Sequence, residues 1–314
     1  MKKICLVFLL GVSLLAFSNT ISPTNATKGD LISRTIEWQG LEREYLLYLP
    51  PVQFMLESLP VVVNLHGGGG TAKGAYRLTN GRFNDLAKEQ GFIVVYPNAI
   101  DKSWNDGREQ ILKPENKNVD DVGFIAAIIQ ELKEIYDVDL SRIFATGMSN
   151  GGFMTSRLLC DRADLFRGGA VVTASISTDY FPKCKPTASV AVLVMNGTDD
   201  PLVPYNGGQI KVFRKTRGEI LSTDQYLDFW KNQNNCNQDP IITQLPDSNS
   251  KDKSTVSVAS YACDGQNPVV LYKIKGGGHT WPGGRQYLGK RLIGVTNRDI
   301  NACDVIWKFF SNLN

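Results

Sequence analysis

Histidine is scarce in this chain of 314 residues. There are two, His66 and His279, far apart in sequence, and no close C-x-x-C pair accompanies either, so the Cys/His spacing of a zinc site is missing. Long hydrophobic runs are equally rare: after "ICLVFLLGVSLLAF" near the N-terminus no apolar stretch approaches the ~20 residues a membrane helix requires. No basic run interrupts the interspersed Lys, Arg, Asp and Glu, and the formal net charge of +3 loses two units if Lys2 and Lys3 are removed. Nucleic acid and acidic membrane surfaces are therefore not expected partners. The lysine and hydroxyl pair of a phosphate-binding G-x-x-x-x-G-K-[ST] loop is absent too, as are internal repeats and low-complexity linkers.

What is present begins with two lysines, a short apolar run and small polar residues, the pattern of a secretory signal. Cleavage after Ser18 or after Ala26 fits, so residues 1–26 read as signal peptide and leader and residues 30–314 as a single catalytic domain, secreted or periplasmic and without a membrane anchor once cut. Export permits disulfides. With Cys5 removed, Cys160 with Cys184 and Cys236 with Cys263 each close a local loop, and Cys303 is left unpaired in the last helix.

Buried-strand patterns recur at 61–65, 92–97, 142–147, 168–175, 190–197 and 268–274. Their continuous apolar, β-branched character suits strands covered on both faces of a mostly parallel sheet. Between them the spacing predicts helices, most clearly over Asp121–Tyr136, with Ile125, Ile128, Ile129, Leu132 and Ile135 on one face and Asp120 or Asp121 as cap, and again near Asp299–Phe310. "SRTIEWQGLEREYLLYLP" reads as an antiparallel hairpin turning at Gln39 and Gly40. The fold class is α/β, with an antiparallel N-terminal edge. Residues 238–260 are polar and aperiodic and are expected to form a loop or excursion held by the Cys236–Cys263 pairing.

Four loops carry the chemistry. "TGMSNGG" at 146–152 sets Ser149 in a G-x-S-x-G pattern between a predicted strand and a predicted helix, a turn that exposes a nucleophilic hydroxyl. "NLHGGGG" at 64–70 follows the first buried strand; close backbone approach there would let Gly68 or Gly69, together with the amide of Asn150, stabilise an oxyanion. His66 then orients the loop and does not act as base. "NGTDDPLVP" at 196–204 supplies a carboxylate, Asp200 being preferred to Asp199. That leaves His279, in "GGGHTWPGG", as the base. The order Ser149, Asp200, His279 is that of an α/β-hydrolase triad. Trp104 of "WNDGR" and Trp281 are candidate walls of the substrate pocket.

"HGGGG", "WNDGR", "VDDVGF", "DLSRIFATGMSNGG", "GTDDPLVPYNGG" and "GGGHTWPGG" together resemble the secreted polyhydroxybutyrate depolymerase and feruloyl esterase family of α/β-hydrolases, over about Thr35 to Phe310. The resemblance implies helices on both faces of the sheet and a serine carboxylesterase using Ser149, Asp200 and His279 without metal or organic cofactor. Cys303 departs from the small residue usual in that family's last helix. The expected reaction is hydrolysis of soluble carboxylic esters, hydroxyalkanoate oligomers first, with feruloyl or acetylxylan esters as the alternative and a serine peptidase ranked behind both. Crystalline polymer is expected to be a poor substrate unless Trp104 and Trp281 act as exposed adhesive aromatics.

Overall fold

A computed structural model describes residues 31–55, 57–109, 118–212 and 215–313. The signal-peptide expectation lies outside the described residues.

The chain opens with a hairpin of β1 (Ile32–Trp38) and β2 (Leu41–Tyr48), whose connecting residues Gln39 and Gly40 both take positive φ, 52° and 76°. That geometry matches the twist of a two-residue hairpin turn. There follow β3 (Leu59–Leu65), α1 (Ala72–Leu78), α2 (Arg82–Gln90), β4 (Ile93–Pro97), α3 (Asp121–Ile135), β5 (Val138–Met148), α4 (Asn150–Asp161), β6 (Gly168–Val172) and β7 (Ala191–Gly197). The remainder comprises β8 (Gly208–Val212), β9 (Lys215–Ile220), α5 (Thr223–Gln233), β10 (Ile241–Gln244), β11 (Thr255–Tyr261), β12 (Val269–Lys275), α6 (Lys290–Ile293) and α7 (Ala302–Ser311).

Ten strands make one sheet in the order β1-β2-β4-β3-β5-β6-β7-β12-β11-β10, and β8 with β9 form a separate ribbon. From β4 to β12 neighbouring strands run parallel. The expected antiparallel edge at β1 and β2 has a counterpart at the opposite edge, where β11 and β10 are also antiparallel.

The apolar runs are continuous because both faces of the sheet are covered. In β3, Val61, Val63 and Leu65 join the core beneath α3, α4 and α5, while Val62 joins that beneath α1, α2 and α7. Helix α3 starts where the sequence places it, with the Asp120 carboxylate accepting from the Gly123 amide, and it buries Ile125, Ile128, Ile129 and Leu132.

One expectation fails. Residues 238–260 contain β10 and most of β11, not a loop alone. Every residue of β10 is exposed, so an edge strand with solvent on both faces leaves no apolar alternation to read. The two expected disulfides, Cys160–Cys184 and Cys236–Cys263, are present, and Cys303 is a buried free thiol.

Candidate active site

Strand β5 runs into α4 through Ser149, whose φ of 58° and ψ of −124° lie far from the helical and extended regions. A side chain pays for such a backbone only where its surroundings enforce it. Here the enforcement is contact: a Cβ at Gly151 would overlap the Leu65 carbonyl, and one at Gly147 would overlap the Gly151 backbone. Two glycines let β3, β5 and α4 close on the turn, and the serine is pushed out at the C-terminal end of the parallel strands. Its own amide donates to Val172 O at 3.0 Å.

Asp200 and His279 meet across separate loops, after β7 and after β12. His279 Nδ1 lies 2.7 Å from Asp200 Oδ2, and both side chains are almost fully buried. The other carboxylate oxygen accepts from the amides of Leu202 and Val203, each at 2.8 Å, so Asp200 is held as an acceptor on both sides. Its partner nitrogen therefore carries the proton, and Nε2 keeps a lone pair. Asp199 is exposed and bonds the Thr198 hydroxyl at 2.8 Å. Ser149 and His279 line one cavity of about 930 Å³, with Gly68 and Asn150 also in its wall.

The loop after β3 divides the expected oxyanion donors. Gly69 is excluded, because its N–H is spent on Lys102 O at 2.8 Å. The amides of Gly68 and Asn150 donate to no protein acceptor among the described residues, and the two positions face each other: a Cβ on Gly68 would sit 3.6 Å from that of Asn150. His66 is structural, as expected. Its Nε2 accepts from the Ala99 amide at 3.1 Å, so Nδ1 donates to Gly67 O at 2.8 Å. Burial drives its pKa down to about 4, and the bond to Gly67 only partly opposes this.

Trp104 and Trp281 do not line the cavity, which corrects the pocket assignment and rules out an adhesive role. Trp104 is wholly buried beneath the loop, with Nε1 donating to His66 O at 2.9 Å and its ring 4.9 Å from that of His66. Trp281 packs edge-on to Phe83, 6.1 Å between centroids, in the core shared with α7. Each indole contributes more by burial under its loop than it would on the surface.

Sequence reasoning missed what "WNDGR" does instead. The Asn150 side chain accepts from the Trp104 amide at 2.8 Å and donates to Trp104 O at 3.1 Å and Asp106 Oδ2 at 2.7 Å. Asp106 is paired in turn with buried Arg108. Nearby, the Asn105 amide donates to Asp121 at 2.7 Å, and Asp121 is ion-paired to Arg43 of β2 at 2.6 Å. The residue after the serine is thus fixed in the cavity wall by its side chain.

A parallel sheet wrapped by helices, with serine, histidine and carboxylate on loops at one end, defines an α/β-hydrolase of the serine type. Comparison with known proteins narrows the class. A protein of Aspergillus clavatus named feruloyl esterase C is 30% identical over 275 residues, covering 85% of this chain and 83% of its own. A protein of Nocardia uniformis subsp. tsuyamanensis named as an esterase, NocK, is 27% identical, covering 88% and 81%. Feruloyl esterase B of Piromyces equi is 27% identical over 71% of this chain, which spans 40% of that longer protein. The prolyl oligopeptidase family model matches residues 83–183, a span that holds Ser149 but neither Asp200 nor His279. Among solved structures, the acetyl xylan esterase from Aspergillus awamori has the same fold, with a TM-score of 0.58 at 16% identity, over 90% of this chain and 99% of that one. The chain belongs to the feruloyl esterase C family of α/β-hydrolases and is a carboxylic ester hydrolase.

Proposed function

We propose that the enzyme cleaves soluble carboxylic esters through an acyl-enzyme on Ser149. The observation that carries this reading is the 2.7 Å His279–Asp200 bond in the wall of the cavity into which Ser149 is turned. Ser149 Oγ attacks the ester carbonyl while His279 Nε2 takes its proton, and Asp200 stabilises the imidazolium and holds its tautomer. The amides of Gly68 and Asn150 receive the oxyanion; each such donor is typically worth about 10²–10³ in rate. Collapse passes the proton from His279 to the departing alcohol, and water then repeats the sequence on the acyl-enzyme.

Two substrate classes follow from two kinds of support. The motif resemblance favours hydroxyalkanoate oligomers, and the named relatives favour feruloyl or acetyl esters of plant polysaccharide. Rates on 3-hydroxybutyryl, feruloyl and acetyl esters of matched alcohols decide between them. A fluorophosphonate probe tests the mechanism beneath both: labelling that vanishes in Ser149→Ala supports it, and undiminished labelling refutes it. Two disulfides suit the oxidising compartment that the N-terminal sequence implies, so we place the enzyme outside the cytoplasm.

A further inference from the structure

The cavity holding Ser149 is strongly asymmetric in charge. Its described lining includes Arg77, Lys102, Arg108, Lys215, Arg217 and Arg285, against one carboxylate, Asp101. The whole chain is nearly balanced, with 34 Lys and Arg against 31 Asp and Glu, so the excess is local to this opening. Nor does it come from a basic run. Arg77 lies on α1, Lys102 after β4, Lys215 and Arg217 on β9, and Arg285 on the loop beyond His279, so four separate parts of the chain bring cations to one rim.

Arg108 is neutralised by Asp106. The other five form no ion pair among the described residues, and Arg77, Lys102, Lys215 and Arg285 are exposed. Deeper in, Leu202, Val203 and Ile210 offer an apolar surface. A cleft of one sign with low-dielectric walls focuses its field and concentrates oppositely charged ligands. Five like charges gathered with no ion-pair partner among the described residues repel one another, and a bound anion would relieve that repulsion.

We infer that the preferred substrate is an anionic ester, bearing a carboxylate a few bonds from the scissile carbonyl, whose apolar part enters the cavity while the charge stays among the rim cations. This rests on the esterase reading above and names the substrate class of the same site. A carboxylate on the acyl side and one on the alcohol side share this chemistry, and the test separates them.

Two matched pairs suffice, assayed at low ionic strength. The linear dimer of 3-hydroxybutyrate and its N-methylamide differ in charge on the alcohol side. Monoethyl adipate and its N-methylamide differ on the acyl side. In at least one pair the anion is expected to show about tenfold higher kcat/KM, carried by KM, the size a few partly exposed charge contacts supply. Added sodium chloride should shrink that ratio. In a Lys215→Gln/Arg217→Gln/Arg285→Gln variant it should fall toward one, with native circular dichroism as the folding control, whereas Arg285→Lys should retain it. Equal rates within both pairs, faster turnover of the amides, or a ratio unmoved by the triple substitution overturns the inference and leaves the esterase reading intact. Hydrolysis of none of the four esters also overturns the inference, while fluorophosphonate labelling of Ser149 decides the esterase reading separately.

Discussion

Two glycine-rich loops each carry one buried histidine, and their ring nitrogens are engaged differently. At His66 both nitrogens are committed to backbone, one accepting from Ala99 and one donating to Gly67. At His279 one nitrogen donates to Asp200, and the other bonds no protein group among the described residues. Burial is nearly equal, 2% and 3% exposed, so burial does not distinguish a structural imidazole from a base. The partner on the far nitrogen does. A backbone amide consumes the lone pair that chemistry needs, whereas a carboxylate on Nδ1 leaves Nε2 free and stabilises the ring once it is charged.

That contrast can be broken outright. On the proposed mechanism Ser149→Ala removes the nucleophile that His279 would serve and should lower kcat by about 10⁵–10⁶-fold with the fold retained; an ester assay showing most activity left would refute the pairing. Asp200→Asn should cost about 10⁴-fold by releasing the tautomer, while Asp199→Asn changes kcat less than about threefold, and the reverse ranking would reassign the acid.

The other histidine should respond to pH through stability. Its folded pKa lies near 4, below the ordinary value of 6.5, so the unfolded chain binds the extra proton first. Its contribution is complete above pH ~6.5 and is lost as pH falls toward 4, by up to about 3 kcal/mol. Urea unfolding across that window should show a slope that His66→Gln reduces. The smallest effect sharpens the comparison at the oxyanion loop. Asn150→Ala keeps the backbone amide but frees it from Trp104 and Asp106, and kcat should drop about tenfold with KM little changed.

The meeting of Asp200 with His279 in the wall of the Ser149 cavity was legible because each requirement is local: close glycines at a strand-to-helix turn, a carboxylate after one buried strand, an imidazole after another. Trp104 and Trp281 were misread because an aromatic on a loop can face the cavity or the core, and only packing against His66 or Phe83 decides. Strand β10 was invisible for lack of a buried face. The Asp106–Asn150 link spans 44 positions, and no spacing announces it. The rim cations escaped for the same reason, since each is isolated in sequence and they converge only in the fold.

Cys303 gives the molecule an internal clock. It is the free thiol among the described residues, fully buried beside Trp281 and Thr79, and burial holds its pKa far above that of an exposed cysteine. A thiol reagent therefore meets it only when the packing around α7 opens. The labelling rate in the native protein reads the frequency of that opening, and a bound ester analogue that steadies the His279 loop should slow it.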